Sequence, residues 1–516
     1  MSAKGLSLQS NILKIAIFAT GLSGIVAEYI LATMATYFIG DSVFQWTMIV
    51  SVMLFSMGIG SRASQFVKSN LLDWFIITEF TLSIFVCYSA LIIYTAVGFM
   101  EYRVVLIYAQ AIITGFLIGM EIPLVARINE SYEDLRENIS NVMALDYIGS
   151  LVGGVLFAFI CVPYIGLTYT PFIFGTVNFA VALLMIWLLR KLVVLKFRKQ
   201  ISFYLVFTAL VVGVGFYFAK PITFYGEQKR YHDKIIFEQQ SKYQKIVLTQ
   251  WKNNYWLYLN GHQQLSTYDE WHYHEPLVHP VMKAALHPQD ILILGGGDGF
   301  AAREIFKYPS VESITLVDLD KAVTDLGQKN EIFLSFNQGS LNDERVSIIN
   351  QDGFTYMEGE EKYYDVIIID LPDPRSVDIN RLYTKEFYEL CYKRLRPNGL
   401  LITQSGCPYY ATKAFKCVTK TLKAAGFSVT PIHHQILSLG EWGWNIAAKN
   451  TDDATLKSRL RALKFEDIET QWINAEAMLM MTSFGKDFVP AFDVEVNTIA
   501  HPILYRYYLD GNWDVY

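Results

Sequence analysis

The chain has 516 residues, of which 52% are hydrophobic and 18% charged, with a formal net charge of −6. That length is too great for one core and calls for at least two domains, while the apolar excess and low charged fraction put one of them in lipid. The acidic balance speaks against nucleic acid as a partner and suits a cationic ligand, and Cys87, Cys161, Cys391, Cys407 and Cys417 have neither CxxC spacing nor the density of a disulfide scaffold.

Apolar residues concentrate before Lys220. Windows long enough to cross a bilayer, about 20 residues each, fall near Asn11 to Tyr37, Val43 to Gly60, Leu71 to Met100, Arg103 to Val125, Leu145 to Tyr164, Thr170 to Leu189 and Ile201 to Ala219. They predict an all-α transmembrane bundle of about seven helices over residues 1–220. Glu28 interrupts the first window and no small-x-small cleavage site follows it cleanly, so it reads as a permanent helix rather than a signal peptide. Gly115 with Gly119, and Gly149 with Gly153, repeat at the spacing that lets helix backbones approach closely. Glu28, Glu79, Glu121 and Asp146 sit at or inside the windows. Carboxylates at membrane depth point to an ion or substrate path, or else lie at the interface or hydrogen-bonded within the bundle.

Basic residues occupy alternate loops: Arg62 and Lys68, Arg127 and Arg136, then Arg190, Lys191, Lys196, Arg198 and Lys199. The positive-inside rule makes these loops and the amino terminus cytoplasmic, and an odd number of spans then puts everything after Ala219 outside, unless one span is miscounted or the rule fails here.

The remainder alternates apolar runs with charge and turn residues. KIVLTQ and WLYLNG read as two strands of a small β subdomain over 221–288. From Asp290 the pattern becomes strand, glycine turn, helix, strand, helix, repeated through SITLVDLD, VSIINQD, YDVIIIDLPD and GLLITQSG. This predicts an α/β domain over 289–450, a doubly wound, methyltransferase-like Rossmann sheet, followed by an extension over 451–516. Ligands of such sheets bind at the carboxyl ends of the strands.

Acids stand at those ends: Asp298 after the first strand, Asp318 and Asp320 after the second, Asp352 after the third, Asp370 and Asp373 after the fourth. In the turn ILILGGGDGF, Gly295, Gly296 and Gly297 let backbone amides approach a ligand, and Asp298 adds a negative charge where a phosphate loop would avoid one. An acid in the place of Asp318 commonly holds ribose hydroxyls, and Asp352, followed by Gly353, can accept from an adenine amino group. No basic residue is positioned for a phosphate, so the ligand reads as an adenosine without a phosphate chain. Asp298, Asp370 and Asp373 then face cations, since converging carboxylates stay ionised only beside positive charge. For any one of these acids, and for Asp320 and Asp373 above all, the competing reading is a helix cap or turn former.

SKYQKIVL, DEWHYHEPLVHP, ILILGGGDGFAAREIFKYPSVESITLVDLD, NQDGF, DVIIIDLPDP and LYTKEFYELCYKRLRPNGLL together resemble the spermidine synthase family of polyamine aminopropyltransferases, over about residues 225–450. The hydrophobic front half looks like that family's membrane-embedded branch. The resemblance implies a donor site, for methylthioadenosine, at Gln244, Asp318, Asp352 and Gly353 with Asp320 nearby, and an amine site at Tyr273, His274, Asp298 and Asp373. Asp370 matches the family's proton acceptor. It implies transfer of the aminopropyl group of decarboxylated S-adenosylmethionine to putrescine, giving spermidine and methylthioadenosine, with no cofactor beyond that co-substrate and no metal. Asp298 would repel the carboxylate of intact S-adenosylmethionine and accept the ammonium of the decarboxylated form. The partners expected are a diamine, a sulfonium nucleoside and the lipid bilayer, with a homodimer or homotetramer as the assembly. The location expected is the cell membrane, with a cytosolic donor favouring a catalytic domain on the face opposite to the one the loop charges favour.

Two segments depart from the family pattern. The catalytic loop reads DLPDPRSVDINRLY where the family has a serine- or threonine-rich turn and Gly-Pro, and Leu437 and Ser438 of SLGEWGW stand where the family often has Tyr-Pro. Both segments shape the amine pocket. The rival readings are a methyltransferase on the same sheet using intact S-adenosylmethionine, and a polyamine transporter or sensor whose soluble domain only binds ligand. His272, His274 and His279, like His433 and His434, lack companion metal ligands at a matching spacing. Trp442 and Trp444 line either the pocket or the core, and the tail HPILYRYYLDGNWDVY reads as packing or a membrane-edge contact.

Overall fold

The computed structural model describes residues 3–96, 102–189, 193–486 and 493–513. The chain divides into two compact units, Met1–Ile235 and Ile236–Tyr516.

The first unit is helical: α1 (Ala3–Ile39), α2 (Ser42–Ala63), α3 (Leu71–Ala96), α4 (Arg103–Asn129), α5 (Leu135–Leu156), α6 (Gly166–Leu189) and α7 (Leu195–Gln228). Six of the seven sequence windows fall on one of these helices each, and the fifth, Leu145 to Tyr164, runs from α5 into the stretch Phe157–Ile165, although Met100, Arg190 and Lys191 lie outside the described residues. Among the described residues, six helices are long and apolar enough to cross a membrane, and one of them, Leu135–Leu189, has 55 residues. A straight helix of that length would span about 80 Å, well over twice a hydrocarbon core of about 30 Å. It is not straight. After a π-helical stretch, Phe157–Ile165, Gly166 takes φ 75° and ψ 170°. On one side of that break Gly149 and Gly153 meet Phe18 and Leu22 of α1, running the same way as α1. On the other side Phe174 accepts from Ser23, while Val181, Met185 and Leu189 cluster with Ile12 and Leu13, running the opposite way. The two legs are antiparallel, which gives seven segments.

Glycine makes these approaches possible. A Cβ on Gly119 would lie 2.1 Å from the Met57 carbonyl oxygen, and one on Gly149 2.1 Å from that of Phe18, so any side chain there would push the helices apart. The two ends of the bundle differ. At one, Lys14 pairs with Glu133 at 2.8 Å and Arg127 donates to the Val67 and Ser64 carbonyls. At the other, Tyr37 donates to Glu227 and Arg230 stacks on the Tyr37 ring at 4.2 Å. α7 runs on through Pro221 and ends at this second end.

The second unit opens with four strands, β1 (Lys234–Gln240), β2 (Lys245–Trp251), β3 (Asn254–Leu259) and β4 (His262–Ser266), in that order in the sheet. The KIVLTQ and WLYLNG runs are β2 and β3, joined by a two-residue turn in which Lys252 has φ 55°. Helix α8 (Trp271–Ala284) leads into a seven-stranded sheet. Its elements are β5 (Asp290–Gly295), α9 (Phe300–Ile305), β6 (Ser313–Asp318), α10 (Lys321–Lys329), α11 (Glu331–Asn337), β7 (Val346–Asn350), α12 (Gly353–Gly359), β8 (Tyr364–Asp370), α13 (Val377–Asn380), α14 (Lys385–Arg394), β9 (Leu395–Gly406), α15 (Thr412–Ala424), β10 (Ser428–Ile436) and β11 (Gly440–Ala448). The sheet order is β10-β11-β9-β8-β5-β6-β7, with β9 through β7 parallel and β10 and β11 an antiparallel hairpin. Continuous aliphatic runs such as Ile291 to Leu294 and Val366 to Ile369 are fully buried because helices cover both faces. The chain winds outward from β5 through β6 to β7, then returns to β8 on the other side, so the switch point lies between β5 and β8. Helices α16 (Asp453–Arg461), α17 (Ala475–Met481) and α18 (Leu504–Leu509) complete the unit.

Candidate active site

Gly295 of β5 pairs with Asp370 of β8 at the carboxyl edge of the switch point. Gly295 and Gly296 have φ of +88° and +66°, and a Cβ on Gly295 would sit 2.0 Å from the Asp370 carbonyl oxygen. Only glycine meets both conditions, so the turn is tied to the strand that carries Asp370. Asp298 closes the turn by accepting from the Phe300 amide at 2.9 Å. The helix that follows, α9, has only six residues and contributes little axial dipole.

Helix α8 delivers the other side. His274 is buried, with its Nδ1 2.9 Å from both the backbone carbonyl and the carboxylate of Glu270. Glu270 is in turn paired with Arg303 at 2.9 Å. His274, Asp298 and Asp370 converge with their donor atoms within 4.8 Å of one another. Tyr273 donates to Asp370 at 2.7 Å and packs against the fully buried ring of Trp444. Burial pushes the Asp370 carboxyl up to about 6, helped by Asp298 and opposed by His274 and the Tyr273 hydroxyl. Asp298 is raised for the same first reason, burial, and lowered by His274. Burial alone would depress His274, but Glu270, Asp298 and Asp370 together raise it and favour the imidazolium. Tyr273, buried beside Asp370, is held well above the usual phenol range and stays a donor.

A second cluster lies at the ends of β6 and β7. Asp318 accepts from the Gly297 and Asp320 amides at 3.2 and 2.9 Å, and burial raises it to about 6, with the charge of Asp320 adding to the effect. Asp320 caps α10 through the Ala322 amide and also accepts from Gln244 at 3.0 Å and Ser241 at 2.6 Å. Asp352 caps α12 through Thr355 and pairs with Arg381 at 2.5 Å. A basic residue, Arg381 of the loop after β8, therefore reaches this edge of the sheet, where its charge is taken up by Asp352. Gly353 has no steric need of its own: a Cβ there would meet Leu382 at an ordinary 3.7 Å. Asp373 stands apart from the triad of His274, Asp298 and Asp370, and its partners are Tyr508 and Arg375.

The full chain has close curated relatives. A "Polyamine aminopropyltransferase 2" of Aquifex aeolicus is 40% identical over 97% of this chain and 98% of its own length. The chain belongs to the polyamine aminopropyltransferase family. A "Polyamine aminopropyltransferase" of Leptospira interrogans is 36% identical over 97% of this chain and 98% of its own, so the likeness takes in the helical unit as well as the sheet. The spermine/spermidine synthase domain model matches residues 270–458. A solved spermidine synthase in complex with the transition-state analogue AdoDATO is 27% identical, covering 49% of this chain and 86% of that one, with a TM-score of 0.45.

Several of the enzyme's contacts escaped the sequence reading. Glu270 is the second residue of the motif that carries His274 and stands four residues before it, a helical spacing that could have flagged the pair. Glu275 does not face the cleft; its carboxylate accepts the Gln471, Trp472 and Ile473 amides and so anchors the extension. It also lies with His279 and Glu304 in a group close enough to bind a metal. Its oxygens are taken by those amides, however, and Glu304 by Arg303, Lys307 and His279, so that group reads as a closed ion network. His272 meets His434 at 2.8 Å, and Trp472 stacks on His434. The aromatic tail packs, as expected, but it also sends Tyr508 to Asp373, which nothing in its own sequence signals.

Proposed function

We propose that this enzyme transfers the aminopropyl group of decarboxylated S-adenosylmethionine to putrescine, producing spermidine and methylthioadenosine. The observation that carries the proposal is the convergence of His274, Asp298 and Asp370 at the switch point, with Tyr273 on Asp370. Two half-buried carboxylates are set there against one imidazolium, which leaves negative charge to be met by cations. The donor supplies a sulfonium and an ammonium, and the acceptor an amine that arrives protonated.

In this reading Gln244, Asp318, Asp352 and Gly353 hold the nucleoside, and Asp298 receives the ammonium of the aminopropyl arm. The absence of a protein contact that would require glycine at position 353 fits a ligand lying against that backbone. Asp370 accepts the proton that the attacking ammonium must lose, and Tyr273 keeps its carboxylate aimed. The free amine then attacks the propyl carbon next to sulfur. The C–N bond forms as the C–S bond breaks, its electron pair passes to sulfur, and neutral methylthioadenosine leaves. The protein's part is alignment of two cations against fixed acids. The same three donor atoms are spaced to suit a metal ion, but an ammonium meets the charge and hydrogen-bond geometry without one.

We further propose that the helical unit crosses a bilayer seven times. With seven crossings Lys14 and Gln228 lie on opposite faces, and the basic end carrying Lys14, Arg62, Lys68, Arg127 and Arg136 is the cytoplasmic one by the positive-inside rule. Release of methylthioadenosine from decarboxylated donor, measured against a panel of amines, tests the enzymatic assignment. Retained polyamine binding without turnover on any diamine would support a sensor or transporter instead.

A further inference from the structure

Asp373 meets a cation from its own chain. Its Oδ2 accepts from the Tyr508 hydroxyl at 2.6 Å and from the Arg375 guanidinium at 3.2 Å, and Arg375 also donates to the Tyr508 oxygen at 3.1 Å. The other guanidinium nitrogen lies 2.7 Å from His262 Nδ1 on β4, and the guanidinium carbon is 5.3 Å from the Tyr508 ring centroid. The Oδ1 of Asp373 is buried and takes no hydrogen bond among the described residues. Asp373 stands at the carboxyl end of β9, where its Oδ1 would lie 4.0 Å from a Cβ on Gly406, and its charge acts on Tyr273 alongside that of Asp370.

Tyr508 comes from α18, outside the residues matched by the spermine/spermidine synthase domain model. It is 2% exposed and is fixed from several directions. Trp513 donates to its backbone carbonyl at 2.6 Å, and the Tyr508 ring would stand 3.4 Å from a Cβ on Gly406, the last residue of β9. The same tail pins the loop after β8. Asn497 donates to the Tyr383 and Asn380 carbonyls, and the Tyr505 amide donates to Asn380 Oδ1. Arg375 lies two residues after Asp373 in the DLPDPRSVDINRLY loop. The tail therefore holds both the acid and the arginine that neutralises it.

We propose that Arg375, strapped to Asp373 by Tyr508, is a built-in competitor for the far ammonium of the acceptor, and that this pair sets how strongly the enzyme prefers diamines over monoamines. One Asp373 oxygen is occupied by Tyr508 and Arg375; the free one, Oδ1, receives the acceptor's far ammonium with Arg375 close behind it. The repulsion weakens diamine binding without touching the reacting nitrogen. The inference rests on the assignment of Asp373 to the acceptor site.

The test is steady-state kinetics of the full-length protein with putrescine and with n-butylamine, which has the same carbon chain but lacks the second nitrogen. Arg375→Gln removes the charge and should lower KM for putrescine roughly tenfold, the scale of one screened like-charge contact, while leaving KM for n-butylamine and kcat for both amines nearly unchanged. Tyr508→Phe frees Arg375 from its strap and should shift the putrescine KM in the same direction by a smaller factor. A purely structural Arg375 predicts the opposite sign, a raised KM for both amines, and that result would overturn the proposal. Asp373→Asn separates the two levels of argument. If it raises the putrescine KM while Arg375→Gln leaves the ratio of the two amines unchanged, the competitor role fails alone. If Asp373→Asn leaves that ratio unchanged too, the acceptor-site assignment fails with it.

Discussion

At the switch point Asp298 and Asp370 stand half-buried beside His274 and Tyr273, each oriented by a donor, with a protein cation within reach. In the helical unit Glu79 and Glu121 face each other across α3 and α4, side chain to side chain, and are more deeply buried, with no exposed surface beyond 2%. Both units thus carry a pair of close carboxylates, and the pair in the helical unit is the more deeply buried. The difference lies in what surrounds them. Acids that are aimed by donors beside a protein cation form a place for cations of definite geometry, whereas a pair of acids that face chiefly each other carries no such instruction. Burial alone is therefore a poor guide to which acids take part in chemistry.

The largest effect that would sharpen this contrast belongs to Asp370. Asp370→Asn keeps the shape and the Tyr273 contact but cannot accept a proton, so kcat should fall by about 10²- to 10⁴-fold, the usual worth of a general base, with donor binding retained in calorimetry. Turnover close to wild type would remove Asp370 from that role. A pH profile gives the next largest signal. Because burial raises Asp370 to about 6, its base form is lost as pH falls through that value, so kcat/KM should drop on the acid side of about 6 rather than of the 3.8 of an ordinary aspartate. A profile flat down to pH 4 would contradict the burial argument. In the helical unit the expected change is small: Glu79→Gln and Glu121→Gln should leave turnover within about twofold, since sites with no shared partners act independently. A loss as large as that of Asp370→Asn would dissolve the distinction between the two pairs.

Sidedness offers one more way to strain the comparison. A reporter fused after Tyr225 should be active on the extracytoplasmic face if seven crossings and the basic loops set the topology. Activity on the cytoplasmic face would mean either that the crossings number six or that the positive-inside rule fails for this bundle.

Much of the sheet unit was legible in the chain because its signals are local. Buried parallel strands write themselves as unbroken aliphatic runs, and a run followed by Gly295, Gly296 and Asp298 places an acid at a strand end whatever else the fold does. Once β5 and β8 are neighbours, Asp298 and Asp370 must meet. Seven helical segments were equally legible, since each needs its own apolar window. The contacts that sequence could not supply span long separations: Tyr508 reaches Asp373 from 135 residues away and Glu275 holds amides nearly 200 residues on. The pairing of Arg381 with Asp352 depends on how an irregular loop folds back, for which no periodicity exists. The cap role weighed as the competing reading is also real, for Asp320 and Asp352 cap α10 and α12 while standing at the edge where the nucleoside is expected.

The claim that the strand-end acids select cations is tested most directly by a competition between donors. Full-length protein is given putrescine with equal amounts of decarboxylated and intact S-adenosylmethionine, and the products are identified by mass spectrometry. The account predicts spermidine and methylthioadenosine from the decarboxylated donor alone. Methylated putrescine with S-adenosylhomocysteine, or no product from either donor, would contradict it.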